Sequence, residues 1–380
     1  MVSGEATAQG LVDPQFWRDR RVLVTGHTGF IGGWTAAWLA QMGAEVTGYA
    51  LAPPTKPSFY EACRRRGRLR EVVDDVRSLD ALQKAFAQAR PQIVLHLAAQ
   101  SLVRAGYEAP AATFDVNLLG TVNVLEASRN SSVDAVVLMT SDKVYEVGRA
   151  PPVHREDDRL GGSAPYEASK ACCELAAQAY ARCYFEPAGI GLATVRAGNV
   201  IGGGDWARDR LFPDAVRAFS AGLPLKLRRP AAVRPWQHVL DAVSGALVVA
   251  QAAARRRQPI GAWNIVPGRE AQTATRRLAE LAAAAWDDGA RVVESETETF
   301  PETAFLALDG VKAGRQLGWQ PAWTLEQTVA HSVDWYKAVL RGEDAWTKTL
   351  QHIDAYHAPR GGHLGAPPGT EHALHADAPR

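Results

Sequence analysis

Short β-branched apolar runs, separated by longer amphipathic stretches, fill the first half of the chain. Arg21-Val22-Leu23-Val24-Thr25 leads into a glycine-punctuated turn from Gly26 to Gly32 and then a helical pattern over Trp34 to Met42. Glu45 to Tyr49 predicts a second strand, and a further short strand precedes Asp75. Ile93-Val94-Leu95-His96-Leu97 predicts an almost wholly buried strand leaving through Ala98-Ala99-Gln100, and Val136-Val137-Leu138-Met139 predicts another that ends in Thr140-Ser141-Asp142-Lys143. Apolar residues recur at helical spacing over Thr113 to Arg129 and over Tyr166 to Phe185. This β-α alternation up to Val195 predicts an α/β fold built on a doubly wound parallel sheet. His96 lies inside an apolar run, which predicts a hydrogen-bonded core histidine rather than a catalytic one.

Beyond Val195 the punctuation changes. Arg196-Ala197-Gly198-Asn199-Val200-Ile201-Gly202-Gly203-Gly204-Asp205-Trp206 reads as a glycine-rich substrate loop, too polar for another strand. Ala262 to Val266 resumes the strand pattern, and Leu317-Gly318-Trp319 with Leu325 to Leu340 predicts a closing helical region. The changes divide the chain into a Rossmann-type domain over 14–195 rejoined by 238–270, a smaller α/β substrate-binding lobe over 196–237 and 271–356, and flexible ends at 1–13 and 357–380. The tail is rich in His, Pro, Gly and Ala, and its histidines lack regular spacing, which favours disorder over metal binding.

Composition narrows the function classes. The chain has 380 residues, 47% of them hydrophobic, with a formal net charge of +1, so no general electrostatic pull toward nucleic acid or membrane exists and phosphate binding must be local. Cations do concentrate in one region, at Arg208, Arg210, Lys226, Arg228, Arg229 and Arg234, and a diphosphate would account for several of them. Arg210 and Arg234 are the selected ligands; the basic run Arg64-Arg65-Arg66 reads as a solvated helix face. Cys63, Cys172, Cys173 and Cys183 show no metal-ligand spacing, and three fall in one predicted helix, consistent with reduced, buried thiols. No signal peptide opens the chain, and no apolar run approaches the ~20 residues of a membrane span. A cytoplasmic protein is expected, with the helices Thr113 to Arg129 and Tyr166 to Phe185 as candidates for a subunit interface.

The chemistry gathers at three places. Strand, glycine turn and helix in succession at Gly26, Gly29 and Gly32 suit a nucleotide: the glycines admit a pyrophosphate, and amides opening the helix at Phe30 and Ile31 supply donors. The second strand ends in Tyr49-Ala50-Leu51, without the acid or arginine that discriminates NAD from NADP, so the choice is open from this position. Asp75, with Val76 beside it, is placed for an adenine contact, and Leu97, Ala98 and Ala99 leave room beside a dinucleotide. In Tyr166-Glu167-Ala168-Ser169-Lys170 the tyrosine and lysine fall on one helix face a turn apart. A cation beneath the phenol favours phenolate, which can take a hydroxyl proton as hydride leaves the same carbon. The hydroxyl of Ser141, the carboxyl of Asp142 and the amine of Lys143 arrive at a strand end, where open α/β sheets keep their chemistry.

Taken together, the first glycine turn, Tyr166-x-x-x-Lys170 and the segment Gly198 to Trp206 resemble the extended short-chain dehydrogenase/reductase superfamily acting on nucleotide sugars. More narrowly, Phe16-Trp17, Gly48 to Leu51, His96 to Gln100, Asp142-Lys143, Asp209-Arg210-Leu211 and Arg234-Pro235-Trp236-Gln237-His238-Val239 resemble the CDP-glucose 4,6-dehydratase family, over roughly Phe16 to Tyr356. The resemblance implies bound NAD, a homodimer or higher homo-oligomer, and a substrate site including Asn199, Arg210, Leu211 and Arg234. It implies that Tyr166 removes the C4 hydroxyl proton, that Lys170 holds the cofactor ribose and lowers the tyrosine pKa, and that Ser141 steadies the C4 oxygen. Asp142 would protonate the departing C6 hydroxyl, and Lys143 stands where related dTDP-glucose enzymes have a glutamate base. The chain departs from the family at Ser141 for threonine, at Val144, at Ala164 for aspartate and at Glu167 for serine; Glu167 either disturbs the tyrosine or points away on the helix. A 4-epimerase would share Tyr166 and Lys170 without a use for Asp142 and Lys143, and a nucleotide-sensing protein would need none of them.

Overall fold

The computed structural model describes residues 11–63, 69–146, 153–295 and 303–358. The expectations on residues 1–10, on Arg64-Arg65-Arg66 and on 359–380 lie outside the described residues. Seven strands form one parallel sheet: β1 (Arg21–Thr25), β2 (Glu45–Ala50), β3 (Leu69–Val73), β4 (Ile93–His96), β5 (Ala135–Met139), β6 (Gly191–Ala197) and β7 (Gly261–Ile265). Their spatial order, β7-β6-β5-β4-β1-β2-β3, reverses between β1 and β4. The longer helices are α1 (Phe30–Gln41), α2 (Leu79–Ala89), α3 (Gly120–Arg129), α4 (Pro165–Tyr180), α5 (Leu211–Ser220), α6 (Val239–Arg256), α7 (Thr275–Trp286), α8 (Leu325–Leu340) and α9 (Ala345–His357).

Period-two alternation explains why the strands are apolar throughout. Val22, Val24, Ile93, Leu95, Val137 and Val195 face α1 and α6, whereas Leu23, Val94, Val136, Leu138 and Leu192 pack with Leu82, Phe86, Val124 and Leu125 of α2 and α3. α6 is buried along most of its length, as an apolar helix between layers must be. The two amphipathic patterns in the first half are real helices, each with one π-helical turn, at Asp115–Leu119 before α3 and at Ala181–Phe185 after α4. A π turn inserts one residue without changing composition, so periodicity does not reveal it. His96 is buried, its ring between the hydroxyls of Thr25 (2.7 Å) and Thr121 (3.1 Å). All four cysteines are free; Cys63 and Cys173 are buried, Cys172 half-buried and Cys183 exposed, which corrects the expectation that all are buried.

The segment after β6 requires the larger correction. Arg196 and Ala197 still belong to β6, and Asn199–Ile201 is a strand, parallel to Trp236–His238. With Gln272–Ala274 antiparallel on its other side, Val233–His238 centres a three-stranded sheet. The pairing partner lies more than thirty residues away, so the local sequence reads as loop. The glycines there serve packing: a Cβ on Gly203 would lie 2.1 Å from the Trp335 ring, and one on Gly198 2.6 Å from Pro235.

Helices α5, α7 and α8 pack against one another beside this small sheet. α9 turns back onto α1 and α6: the Trp38 and Tyr356 rings meet at 5.5 Å, and the Tyr356 hydroxyl donates to Asp241 Oδ1 at 2.7 Å. One apolar cluster therefore runs from the sheet through Trp34, Phe59 and Trp335 to α9. Among the described residues no helix is long and apolar enough to cross a membrane. Trp335 is fully buried and donates through Nε1 to Thr349 Oγ1 of α9 at 3.0 Å. Trp335→Ala is expected to cost about 3–5 kcal/mol of unfolding free energy, measurable by urea denaturation, because it opens a cavity and strands that hydroxyl's partner site.

Candidate active site

The turn between β1 and α1 is a cradle that only glycine permits. Gly26 has φ +76°, and a Cβ there would sit 2.7 Å from the Ala98 nitrogen; one on Gly32 would sit 2.1 Å from the Gly26 oxygen. Gly29 caps α1 without a side-chain bond, so amides of the first helical turn stay unclaimed at the C-terminal edge of the sheet. Those donors and that close approach fit a dinucleotide pyrophosphate. The Thr25 hydroxyl accepts from the Leu97 and Ala98 amides at 3.1 and 3.2 Å, fastening the exit of β4 beside the turn. His27, within the turn, points the other way: it is buried against Gly48 and 3.7 Å from Glu71 Oε1. Asp75 follows β3 as anticipated, but both carboxylate oxygens are engaged, by the Arg77 amide at 2.9 Å and its guanidinium at 2.6 Å. The Arg77 hydrogen bond holds this carboxyl below its ordinary range.

A cleft of about 1060 Å³ opens between the edge of the large sheet and the smaller one. Ile31, Leu97, Ala99, Ser141, Asp142, Lys143, Tyr166, Lys170, Asn199, Arg210, Leu211 and Arg234 all line it, although they span most of the sequence. Gly26, Gly29, Phe30, Gly32, Ala98, Asp75 and Val76 are not in its lining; they belong to the turn and strand ends adjoining it.

Tyr166 and Lys170 project from the first turns of α4 and are both buried. Lys170 Nζ donates to the Met139 carbonyl at 3.1 Å, where β5 ends. Burial pushes the Tyr166 phenol up to about 12; its hydrogen bond with Ser141 and the charge of Arg210 pull it down, and Asp142 pushes it up. Burial likewise lowers the Lys170 ammonium, against the pull of Cys173 and Glu174. Ser141 Oγ donates to Asp142 Oδ1 at 3.0 Å and accepts the Lys143 amide at 3.2 Å. A hydroxyl has one proton to give, so the Ser141 proton that rests on Asp142 is the same one that would stabilise the Tyr166 phenolate, the direction in which this hydroxyl moves the phenol. Ser141 thus stands between Tyr166 and Asp142.

Burial raises the Asp142 carboxyl, offset in part by Lys143, Ser141 and Arg234. Its Oδ2 is buried in the cleft wall with no hydrogen-bond partner among the described residues. Such a carboxyl is poised to carry a proton to a bound group. Glu167 turns back on its own helix: its Oε2 accepts the Ser163 and Ala164 amides at 3.1 and 3.2 Å where Ala164 offers no side-chain cap, and its charge adds to the rise of the Asp142 carboxyl.

Both selected arginines reach the cleft by different means. Arg234 is buried, donating to the carbonyls of Val233 (2.8 Å) and Thr303 (2.5 Å). Arg210 pairs with Asp205 at 3.1 Å and donates to Ser101 Oγ at 2.8 Å across the cleft. Ser101 carries no motif that marks it as functional in the sequence, whereas Asp205 lies in the glycine-rich segment Gly198 to Trp206 without being singled out there. Glu174 is also new to the site: it forms a buried ion pair with Arg196 just behind Thr140, and the available signal was an acid one helical turn past Lys170.

Asp142 binds its proton more tightly in the folded than in the unfolded chain. Its stabilising contribution is therefore complete below the unfolded value near 3.8 and is lost as pH rises through the raised folded value. Asp142→Asn is expected to be more stable than the parent at neutral pH, with the difference closing as pH falls toward the ordinary carboxylate range. Denaturation midpoints over that range check the sign.

Comparison with known proteins agrees with this geometry. The chain is 42% identical over 358 residues to CDP-glucose 4,6-dehydratase of Salmonella typhimurium, covering 91% of this chain and 98% of that protein. It is 29% identical over 353 residues to dTDP-glucose 4,6-dehydratase of Streptomyces antibioticus, covering 90% and 98%. The crystal structure of a DesIV double mutant (dTDP-glucose 4,6-dehydratase) from Streptomyces venezuelae, with NAD and DAU bound, superposes with a TM-score of 0.70 at 26% identity over 86% of this chain and 99% of that one. UDP-glucose 4-epimerase from Thermotoga maritima shares the fold, with a TM-score of 0.72 at 22% identity over 84% and 99%. The model of the NAD dependent epimerase/dehydratase family matches residues 22–265, and the chain belongs to that family.

Proposed function

We propose that this protein is a nucleotide-sugar 4,6-dehydratase, a hydro-lyase that uses NAD to convert CDP-glucose to CDP-4-keto-6-deoxyglucose. The observation that carries the reading is Asp142: a buried carboxyl with one oxygen unpartnered among the described residues, facing the same cleft as Tyr166 and Lys170. Likeness over nearly the whole of the Salmonella CDP-glucose enzyme supports the substrate. A 4-epimerase has no step for that acid, and likeness to epimerase structures under 25% identical bears on fold alone.

In this reading Gly26, Gly29, Phe30, Ile31 and Gly32, with Asp75, Val76, Leu97, Ala98 and Ala99, would hold NAD, which when bound would supply the reversible hydride acceptor for oxidation at C4 and reduction at C6. Tyr166 takes the C4 hydroxyl proton while Lys170 and Ser141 stabilise the phenolate and the C4 oxygen. The 4-keto group acidifies C5, Lys143 accepts the C5 proton as the neutral amine, Asp142 delivers one to the C6 hydroxyl, which leaves as water, and C5 takes a proton back when C6 gains the hydride. Arg210 and Arg234 clamp the diphosphate, with Asn199 and Leu211 beside the sugar nucleotide. The substrate lobe comprises 196–237, apart from Arg196 and Ala197 of β6, and 271–356, with α9 reaching back onto the NAD-binding domain of 14–195 and 238–270. The protein works in the cytoplasm as a homodimer. Exposed Leu119, Leu175 and Tyr184 on the α3 and α4 segments support that pairing, since apolar side chains clustered on adjoining helices favour burial.

Incubation with CDP-glucose should yield a product lighter by one water in mass spectrometry. In Asp142→Asn, oxidation should survive while elimination slows roughly hundredfold to ten-thousandfold, the usual loss with a general acid. Near-ultraviolet absorbance of reduced nicotinamide should then rise and persist, whereas the parent accumulates little. Normal turnover by this variant would make Asp142 a turn residue and favour the epimerase. For the assembly, Leu175→Glu should shift the sedimentation coefficient from dimer to monomer; an unchanged dimer would remove α4 from the interface.

A further inference from the structure

The carboxylate of Glu174 lies one helical turn beyond Lys170 on α4 and is 1% exposed. It accepts four hydrogen bonds: from Arg196 Nε at 3.0 Å and Nη2 at 2.9 Å, from Thr194 Oγ1 at 2.8 Å and from Thr140 Oγ1 at 2.6 Å. Arg196 turns its remaining nitrogen to the Tyr145 hydroxyl at 2.9 Å and the Glu156 carbonyl at 3.0 Å. A buried ion pair is poor evidence of stabilisation, because desolvation offsets most of the attraction. What this pair is fastened to is more informative.

Thr140 directly precedes Ser141. The carbonyl of Met139, one residue earlier, accepts Lys170 Nζ. The exit of β5 is therefore gripped at two successive residues by two side chains of α4, the helix that also carries Tyr166. Thr194, bonded to the second Glu174 oxygen, sits within β6 and adjoins no reacting group. Both threonines donate to one carboxylate, Thr140 also lying 3.3 Å from the Val195 carbonyl, with different consequences for the cleft.

We propose that Glu174 is a positioning residue for the reaction: through Thr140 it fixes the register between the strand end bearing Ser141 and Asp142 and the helix face bearing Tyr166 and Lys170. Ser141 must reach the phenol and the carboxyl at once, and misplacement by about 1 Å costs on the order of a hundredfold in rate. The proposal rests on the dehydratase reading for the choice of substrate in the assay.

Thr140→Val keeps the β-branched shape, deletes the bond to Glu174 with the longer contact to the Val195 carbonyl, and leaves the ion pair intact; Thr194→Val deletes the other threonine bond to Glu174. Thr140→Val is expected to lower kcat about tenfold or more, since it loosens orientation rather than binding, with KM little changed. Thr140→Ser should restore turnover, and Thr194→Val should keep the parent kcat while losing a similar denaturation midpoint. A readout without substrate is hydrogen exchange at the Lys143 amide, which donates to Ser141 and should exchange faster in Thr140→Val than in Thr194→Val. Should Thr140→Val not fold, Thr140→Ala removes the same hydroxyl with less bulk. Equal losses of kcat and equal exchange in the two valine variants would overturn the proposal and leave Glu174 a structural ion pair. A parent protein inactive on CDP-glucose would instead defeat the dehydratase reading, and the exchange comparison would still decide the positioning role.

Discussion

Burial of three ionisable groups in one cleft wall is the constraint that the surrounding structure answers. Tyr166, Lys170 and Asp142 are each pushed by desolvation toward the neutral form. A neutral phenol is a poor base, so the fold must return to Tyr166 what burial removes. The Ser141 hydroxyl and the Arg210 charge offset part of it, and the phenol is still held up at about 12. The same desolvation suits Asp142, because an acid that holds its proton has one to give. One environment therefore holds a base and an acid on either side of Ser141, whose single proton can serve one or the other.

The two glycine segments solve different steric problems. At Gly26 and Gly32 absent side chains let backbone approach backbone and leave helix amides open to a phosphate. At Gly198 and Gly203 the missing Cβ lets Pro235 and the Trp335 ring approach, which locks the small sheet against the large one. Of the second set, Gly198 lines the cleft and Gly203 lies behind it. Its neighbour Asn199 enters the cleft because the strand it belongs to runs beside Trp236.

The large sheet was legible because every strand carries a period-two apolar signal bounded by turn residues, and the order of α and β elements leaves few topologies. Tyr166, Lys170, Ser141 and Asp142 were legible because helix spacing and strand ends fix where such side chains point. Asn199–Ile201 was not: three residues are too few for a period, and its partner is remote in sequence. The π turns were invisible because they alter backbone bonding and leave the apolar spacing nearly intact. Glu167 was legible as an anomaly but not in its effect, since the distinction between a carboxylate beside the phenol and one folded back onto Ser163 and Ala164 is a matter of rotamer. Arg196 was assigned to a loop, whereas its charge is spent on Glu174 inside the sheet layer.

Buried polar atoms without partners are costly, about 1–3 kcal/mol each, and native chains keep few. Glu174 and Asp142 lie on either side of the same strand end and show the two ways a buried carboxylate is held. Glu174 has every oxygen engaged, and a group so satisfied cannot exchange a proton with anything outside its network. Asp142 has one oxygen tied to Ser141 and the other buried without a hydrogen-bond partner among the described residues. A residue kept only to shape a turn would gain from asparagine, whose amide carries no charge to desolvate. Retaining the acid at that position makes sense where a bound group must be protonated, and in a cleft that also holds a phenol and an ammonium, that requirement separates elimination from simple oxidation and return.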